Sequence, residues 1–266
     1  ETRTEAEALT GQGVFVAQSA GTWGNNLETS VCFDAADFSE AITLTAGIAT
    51  GATTVQCANS FLTSTNLAAG DILRVGSSSI GFQDLTVATA ALDSGDNDLG
   101  LITFAPAYRL SATSPTAATR KWAYYLNVDA APTGSNAHIV VLDEDGGISG
   151  TANTILEVFA DVSTTDGDLN DQGSSIYYKD VVNERSNYIW TTAVSLADGA
   201  NYISFSNGSE GTNGTESTIA LARLARGIDL YQNAEEIDIS LVLAGKANTV
   251  IANYLIDNVA ENRKDC

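Results

Sequence analysis

The sequence predicts a β-rich α+β protein of several domains. An antiparallel β-barrel or sandwich module is inserted into a β-sheet domain flanked by short helices, and the start of an α/β domain follows. Short β-prone runs separated by glycines, a continuous apolar run near the middle of the chain, and helical spacing of apolar residues toward its end predict this class. The predicted parts are a central domain of residues 1–41 plus 119–212, the inserted module at 42–118, and a partial α/β region at 213–266.

The inserted module is predicted from short runs rich in Thr, Ser, Ala and Gly, with turn residues between them. Small antiparallel barrels and sandwiches show this regular spacing of strands and turns. No helical period is visible in the stretch, so we expect it to be all β. The predicted strands lie at residues 42–45, 53–57, 71–75, 84–87 and 101–104.

The central domain is predicted from apolar runs that follow residue 120. Residues 138–142 read as a buried strand, and the acidic and glycine residues 143–147 end it as a turn. Two further strands are expected at 188–192 and 202–205, and a Gly/Asn/Ser loop is expected at 206–215.

Helical spacing predicts a short helix in the central domain and two longer ones in the last region. Ile155, Leu156 and Phe159 would form one face of the short helix, which Thr151 or Asn153 would cap. The longer helices, on either side of a strand at 237–243, are predicted from the stripes Leu221, Leu224, Ile228 and Tyr231, and Val250, Ile251, Tyr254, Leu255 and Val259. Arg263 and Lys264 would close the last helix at the negative end of its dipole.

The ends of the sequence predict that it is a piece of a longer protein. Helix, strand and helix in this order begin an α/β unit whose next strand would follow Cys266, and the sequence contains no Met. We therefore expect a fragment or a processed product.

The charge balance argues against several classes of partner. The chain has 33 acidic and 12 basic residues and a formal net charge of −21. Nucleic acids and anionic membrane surfaces are bound by clustered Lys and Arg, so neither is an expected partner. No apolar run reaches the roughly 18–20 residues of a membrane-spanning helix, so no membrane insertion is expected. Cys32, Cys57 and Cys266 are interpreted as reduced thiols from a cytoplasmic folding environment, with a Cys32–Cys57 disulfide as the alternative.

No catalytic, cofactor or metal site is predicted. The only histidine, His138, begins an apolar strand and is interpreted as a structural residue, since no nucleophile motif accompanies it. The cysteines lack the paired spacing of a zinc site. Two acidic turns could offer oxygen ligands to a hard cation, but such turns are expected in so acidic a chain. They consist of Asp143, Glu144 and Asp145, and of Asp166, Asp168 and Asn170; the second departs from a calcium loop at Asp171 and Tyr177.

Several other features have a structural and a functional interpretation. The Gly11-x-Gly13 pair is read as a strand-entry turn, since it lacks the third glycine of a dinucleotide loop. Arg120 and Lys121 would form a solvated edge or an intramolecular ion pair. The sequons at Asn207 and Asn213 read as loop turns. The aromatic cluster of Trp122, Tyr124 and Tyr125 would either anchor the chain as it leaves the β module or form a contact surface or sugar platform.

Nine short segments match the pattern of one protein family, and in this order they cover most of the chain outside residues 42–118. The sequence AGTWGNNL at 20–27 is similar to a GTWGN segment, and HIVVLDEDG at 138–146 is similar to an HVVVxDEDG strand and turn. The other matching segments are RKWAYY at 120–125, APTGS at 131–135, GT at 150–151, ILEVF at 155–159, GSSIYYKDVVN at 173–183, AEEIDISLV at 234–242 and NRKDC at 262–266. Together these segments resemble the sheath proteins of large contractile-tailed bacteriophages of the myovirus type.

The resemblance implies a non-enzymatic structural subunit of a virion, assembled in the host cytoplasm. Its copies would polymerise helically as stacked rings around the tail tube and contract to drive the tube through the host envelope. The implied partners are further copies of the same subunit, the tail tube and the baseplate. The C-terminal inner domain and the extended terminal arms of the family would be missing here, so we expect the chain alone to be a monomer.

Two other functions compete with the sheath hypothesis. The acidity and the Thr/Gly-rich strands also suit a cell-surface or S-layer-like adhesin that binds divalent cations. A hydrolase would have to use His138.

Overall fold

The computed structural model describes residues 3–19, 21–64, 67–110, 115–197, 202–209, 227–233, 237–245, 247, 249–261 and 263. Antiparallel sheets dominate these residues and helices are few, which confirms the predicted fold class. Residues 1–19 with 23–206 form one compact unit, and residues 20–22 with 207–266 form another. Among the described residues, no helix combines the length and the apolar character that crossing a lipid bilayer requires.

Antiparallel pairing organises the strands of the first unit. Its strands are β1 (Phe15–Ala17), β2 (Leu27–Cys32), β3 (Ser39–Thr43), β4 (Thr54–Ala58), β5 (Ile72–Ser77), β6 (Gly81–Asp93), β7 (Asp96–Ala105), β8 (Ala117–Lys121), β9 (Asn136–Asp143), β10 (Thr154–Ser163), β11 (Ile189–Thr191) and β12 (Tyr202–Ser204). Its helices are α1 (Arg3–Glu7), α2 (Ala35–Phe38), α3 (Asn59–Ser64) and α4 (Tyr178–Arg185). A 3₁₀ turn lies at Tyr125–Asn127, and another spans Thr22–Asn26, of which residues 23–26 belong to this unit.

The central sheet has the strand order β10-β9-β2-β12. Strand β9 confirms the strand predicted at 138–142 and is buried at every position after Asn136. Its alternate side chains enter different cores: Ile139 and Val141 pack with α4, β1 and β11 residues, while Val140 and Leu142 pack on Trp122. Because both faces are covered, the strand reads as a continuous apolar run rather than an alternating one. The predicted strands at 188–192 and 202–205 are confirmed as β11 and β12.

The inserted stretch forms a second antiparallel sheet with the strand order β3-β8-β5-β6-β7-β4. The sheet curls into a partial barrel, and its two edges meet where Leu44 bridges Cys57. Alternate side chains such as Leu73, Val75 and Leu85 fill the interior. All the strands predicted here are confirmed. The predicted boundaries between the central domain and the inserted module, at 41/42 and 118/119, fall inside β3 and β8. These two strands pair with each other.

Sequence reasoning missed two elements of the inserted stretch. Helix α3 lies in a region expected to be all β, and strand β8 was not predicted. The predicted short helix at Ile155, Leu156 and Phe159 was wrong, because these residues lie in β10, which pairs with β9.

The second unit departs from the helix–strand–helix prediction. Residues 227–229 are helical, whereas Leu221 and Leu224 lie outside the described residues. The strand predicted at 237–243 was wrong, because the described residues there form no strand. The last helix is confirmed as α5 (Thr249–Leu255), which continues as a π-helical turn at Ile256–Ala260.

Candidate functional site

A buried ion cluster lies where the partial barrel meets the central sheet. Arg120 of β8 is fully buried; its Nε lies 3.0 Å from Oδ2 of Asp71, which directly precedes β5, and its Nη1 lies 3.5 Å from Oδ1 of Asp37 in α2. The Asp34 side chain accepts the Asp37 N–H and so caps α2, which fixes the helix that presents Asp37. Burying charges is unfavourable unless they are paired and hydrogen-bonded. Two carboxylates pair with the Arg120 guanidinium here, while its Nη2 is buried and has no hydrogen-bond partner among the described residues.

Asp71 connects the cluster to the central sheet. Its Oδ2 accepts the Ala68 N–H at 3.0 Å, and its Oδ1 accepts the hydroxyl of Tyr202 in β12 at 3.0 Å. Burial raises the pKa of Asp71, although Arg120 and these hydrogen bonds oppose the increase. Burial and the charge of Asp71 also raise the pKa of Tyr202. The cluster therefore ties strands of both sheets to one guanidinium.

A second contact between the two sheets centres on Trp122, directly after β8. Its indole Nε1 donates to the Ser30 Oγ at 2.9 Å, and its ring stacks on His138 with centroids 6.0 Å apart. The ring of Tyr124 meets the indole edge-on at 5.5 Å. The fully buried indole confirms that this aromatic anchors the chain where it leaves the barrel. Tyr125 instead makes a cation–π contact with Lys121, whose Nζ lies 4.4 Å from the centroid of the Tyr125 ring.

His138 has the structural role that the sequence predicted. Its Nδ1 accepts the Asp161 N–H at 2.9 Å, so its Nε2 carries the proton and donates to the Ala130 carbonyl at 2.8 Å. Burial lowers the pKa of His138, although the Ala130 carbonyl and the charge of Asp161 oppose this. Both ring nitrogens are thus occupied by backbone groups of neighbouring segments.

The turn after β9 is held by Asp143. Its Oδ2 accepts the Ile148 N–H at 3.0 Å and both the N–H and the hydroxyl of Ser149. Burial opposes ionisation, yet these hydrogen bonds prevail and keep the pKa of Asp143 below its ordinary value. Gly146 has φ of 79°, and a Cβ there would lie 2.7 Å from the Ala152 nitrogen, so this turn requires glycine.

Of the other residues in the two acidic turns, Glu144, Asp168 and Asn170 take part in local hydrogen bonds, whereas Asp166 is exposed. Asp168 accepts the Ser163 hydroxyl at 2.5 Å, and the Asn170 Oδ1 accepts the N–H groups of Gln172 and Ser174. Glu144 shares the Ser204 hydroxyl with Glu28, and burial together with the Glu144 charge raises the pKa of Glu28. In the part of the chain that the structure describes, no three acidic, His or Cys side chains are grouped as metal ligands.

The remaining sequence predictions concern the cysteines, the basic pair and two loops. Cys32 and Cys57 are buried free thiols, so the alternative disulfide between them was wrong; Cys266 lies outside the described residues. Arg120 forms the ion pairs that were one of its two predicted roles. Gly13 lies two residues before β1, and its carbonyl accepts the Thr192 hydroxyl. Asn207 lies in irregular chain with φ of 66°, and Asn213 lies outside the described residues.

Sequence reasoning missed the residues that complete the junction, namely Ser30, Asp37, Asp71 and Tyr202. One signal was available in the sequence. In a strand over residues 117–121, alternation places Ala118 and Arg120 on the same face. If the apolar Ala118 faces the interior, Arg120 faces it too, and a buried arginine needs carboxylate partners. Which carboxylates meet it depends on chain segments distant in sequence.

Comparisons with known proteins give one informative similarity. The chain is 28% identical over 133 residues to a protein described as "Tail sheath protein" from Salmonella phage ViI. The match covers 47% of this chain and only 19% of the phage protein, so the chain spans a small part of that relative's length. No protein-family model matches the chain. No solved structure matches it.

Proposed function

We propose that this chain is part of a subunit of a contractile phage tail sheath, which polymerises helically around the tail tube and contracts to drive the tube through the host envelope. The observation that carries the proposal is the similarity to the tail sheath protein of Salmonella phage ViI. The ordered segments that resemble sheath proteins, among them the residue 20–27 segment and the Asp143 turn, agree with it.

The mechanism requires subunits that keep their shape while their packing changes. A helical sheath uses head-to-tail contacts that do not close, and contraction exchanges one packing of the same subunits for another of lower free energy. A few kcal/mol per subunit, summed over many copies, performs mechanical work without a nucleotide. The buried Arg120 cluster and the Trp122 contact suit this role, since they join the barrel and the central sheet through fully buried groups.

The remaining parts of the proposal follow from the sheath role. The partners are further copies of the subunit, the tail tube and the baseplate, and the location is the virion tail after assembly in the host cytoplasm. In this role the chain performs no reaction. Its proposed parts are the central domain of residues 1–41 plus 119–212, the inserted domain at 42–118 and the region at 213–266. The net charge is −21, and identical acidic faces of neighbouring copies would repel one another. We therefore expect most carboxylates to face solvent rather than a neighbouring copy.

Immunogold electron microscopy tests this proposal. Antibodies raised against the purified chain are applied to phage particles that carry its gene product, before and after the tails are induced to contract. We expect gold along the whole tail, over a length that shortens on contraction. Antibody preabsorbed with excess chain is the control. Label confined to the capsid, the fibres or the bacterial surface would rule out a sheath role.

A further inference from the structure

An unusual patch lies on the outside of the partial barrel, on β5 and β6 and in the 3₁₀ turn after β8. Arg74 lies 5.3 Å from the ring centroid of Phe82, which is 54% exposed, and its Nε lies 3.4 Å from Oδ1 of Asp84. The Tyr125 hydroxyl approaches the same carboxylate at 3.4 Å. The barrel patch is here defined as Arg74, Phe82, Lys121, Tyr125 and Leu126; Leu126 is 80% exposed.

The patch contrasts with the acidity of the whole chain. At the described outward-facing positions of β3, β8, β5 and residues 81–86, Asp84 supplies the one carboxylate, and it is engaged by Arg74 and Tyr125. Small residues such as Ala41 and Thr119 occupy much of the rest. Exposed Arg and aromatic side chains beside apolar ones are the composition enriched at the centres of protein interfaces.

A loop of complementary chemistry lies at residues 164–175 of the same unit. Asp166 and Asp171 are exposed and make no hydrogen bond or ion pair within the described residues, and Leu169 between them is 59% exposed. The Leu169–Ser175 bridge and the hydrogen bonds accepted by Asn170 hold the loop in one shape. A preorganised loop loses little conformational entropy when it binds.

We infer that the barrel patch of one copy binds the loop 164–175 of a second copy, in a head-to-tail contact. Arg74 and Lys121 would meet Asp166 and Asp171, and Leu169 would pack between Phe82 and Leu126. Because the two surfaces differ, each copy offers one of each, so the contact is heterologous and can propagate from copy to copy. The inference rests on the proposed self-assembly and names one surface that it uses.

The test is a charge-swap cycle read by sedimentation equilibrium of the purified chain up to about 1 mM, in physiological salt. The first double variant is Arg74→Glu with Lys121→Glu, the second is Asp166→Lys with Asp171→Lys, and the third protein combines all four changes. The combined variant has the net charge of the wild type, so their comparison excludes general repulsion. Circular dichroism verifies that each variant is folded.

We expect the wild type to be a monomer at micromolar concentration, as the sequence predicts, and to self-associate weakly with a dissociation constant just below about 1 mM. Each double variant should associate at least about tenfold more weakly, and the combined variant should recover most of the loss. The second double variant is decisive: it lowers the net negative charge, so general repulsion alone would make it associate more strongly. Stronger or unchanged association of that variant, no recovery in the combined variant, or no wild-type association at about 1 mM would overturn the inference. Tail labelling would still decide the sheath role separately.

Discussion

Replacing Arg120 with alanine should strongly destabilise the barrel-and-sheet unit. The guanidinium and the Asp71 carboxylate are both fully buried, and the side chain of Asp37 is 9% exposed. Removing one partner of a buried ion pair leaves an uncompensated charge and costs about 3–5 kcal/mol. The matched control is Arg74→Ala, whose pair with Asp84 is 37% and 40% exposed and is worth about 0.2–1 kcal/mol.

Urea unfolding followed by tryptophan fluorescence measures both losses. The chain has three tryptophans, at positions 23, 122 and 190, and all lie in this unit, so the signal reports its unfolding. Adding Asp71→Asn to Arg120→Met should recover at least about 1 kcal/mol relative to Arg120→Met alone, because the buried charge is removed. The reasoning is refuted if Arg120→Ala costs no more than Arg74→Ala, since the cluster would then be effectively hydrated.

Three further outcomes follow from the geometry. Glu28→Gln should stabilise the unit at pH 7 and lose this advantage below about pH 4. The raised pKa of Glu28 in the folded state makes the wild type less stable as the pH rises above the ordinary value of 4.5. Equal pH profiles of the two proteins in thermal unfolding would contradict this prediction. His138→Ala should lower the free energy of unfolding by about 1–3 kcal/mol, because it leaves two backbone groups without partners. The wild type also loses stability below pH 6.5, where the histidine is protonated in the unfolded state, and the variant should lack this part of the loss. Millimolar calcium should leave the melting temperature as it is in EDTA, whereas the adhesin hypothesis requires an increase.

The strand predictions succeeded where local pattern and tertiary pairing agreed. The apolar run of β9 and the short runs of the barrel have enough β-branched residues and flanking turns to identify them without partners. Strand β10 failed for a local reason. Register shifts between Ile155 and Glu157 and between Phe159 and Val162 interrupt its alternation, and the resulting spacing imitates one face of a helix.

The strand predicted at 237–243 failed because a strand needs a partner. Its alternation of Ile237, Ile239 and Leu241 is typical of a half-buried strand, yet the described residues there pair with no other strand. Instead, the buried guanidinium of Arg263 binds the Ile237 carbonyl at 2.6 Å and the Tyr231 carbonyl at 2.8 Å. A side chain thus satisfies a backbone acceptor that a neighbouring strand would have used.

The sequence by itself determined the β-rich class and the positions of β9 and of the barrel strands predicted at residues 42–104. These properties depend on composition and on residues close in the chain. Only the tertiary structure decided how Arg120 is neutralised, because Asp37, Asp71 and Tyr202 come from three segments that folding alone brings together. A buried charge makes some partner necessary, but its identity depends on long-range strand pairing, which local sequence pattern does not encode.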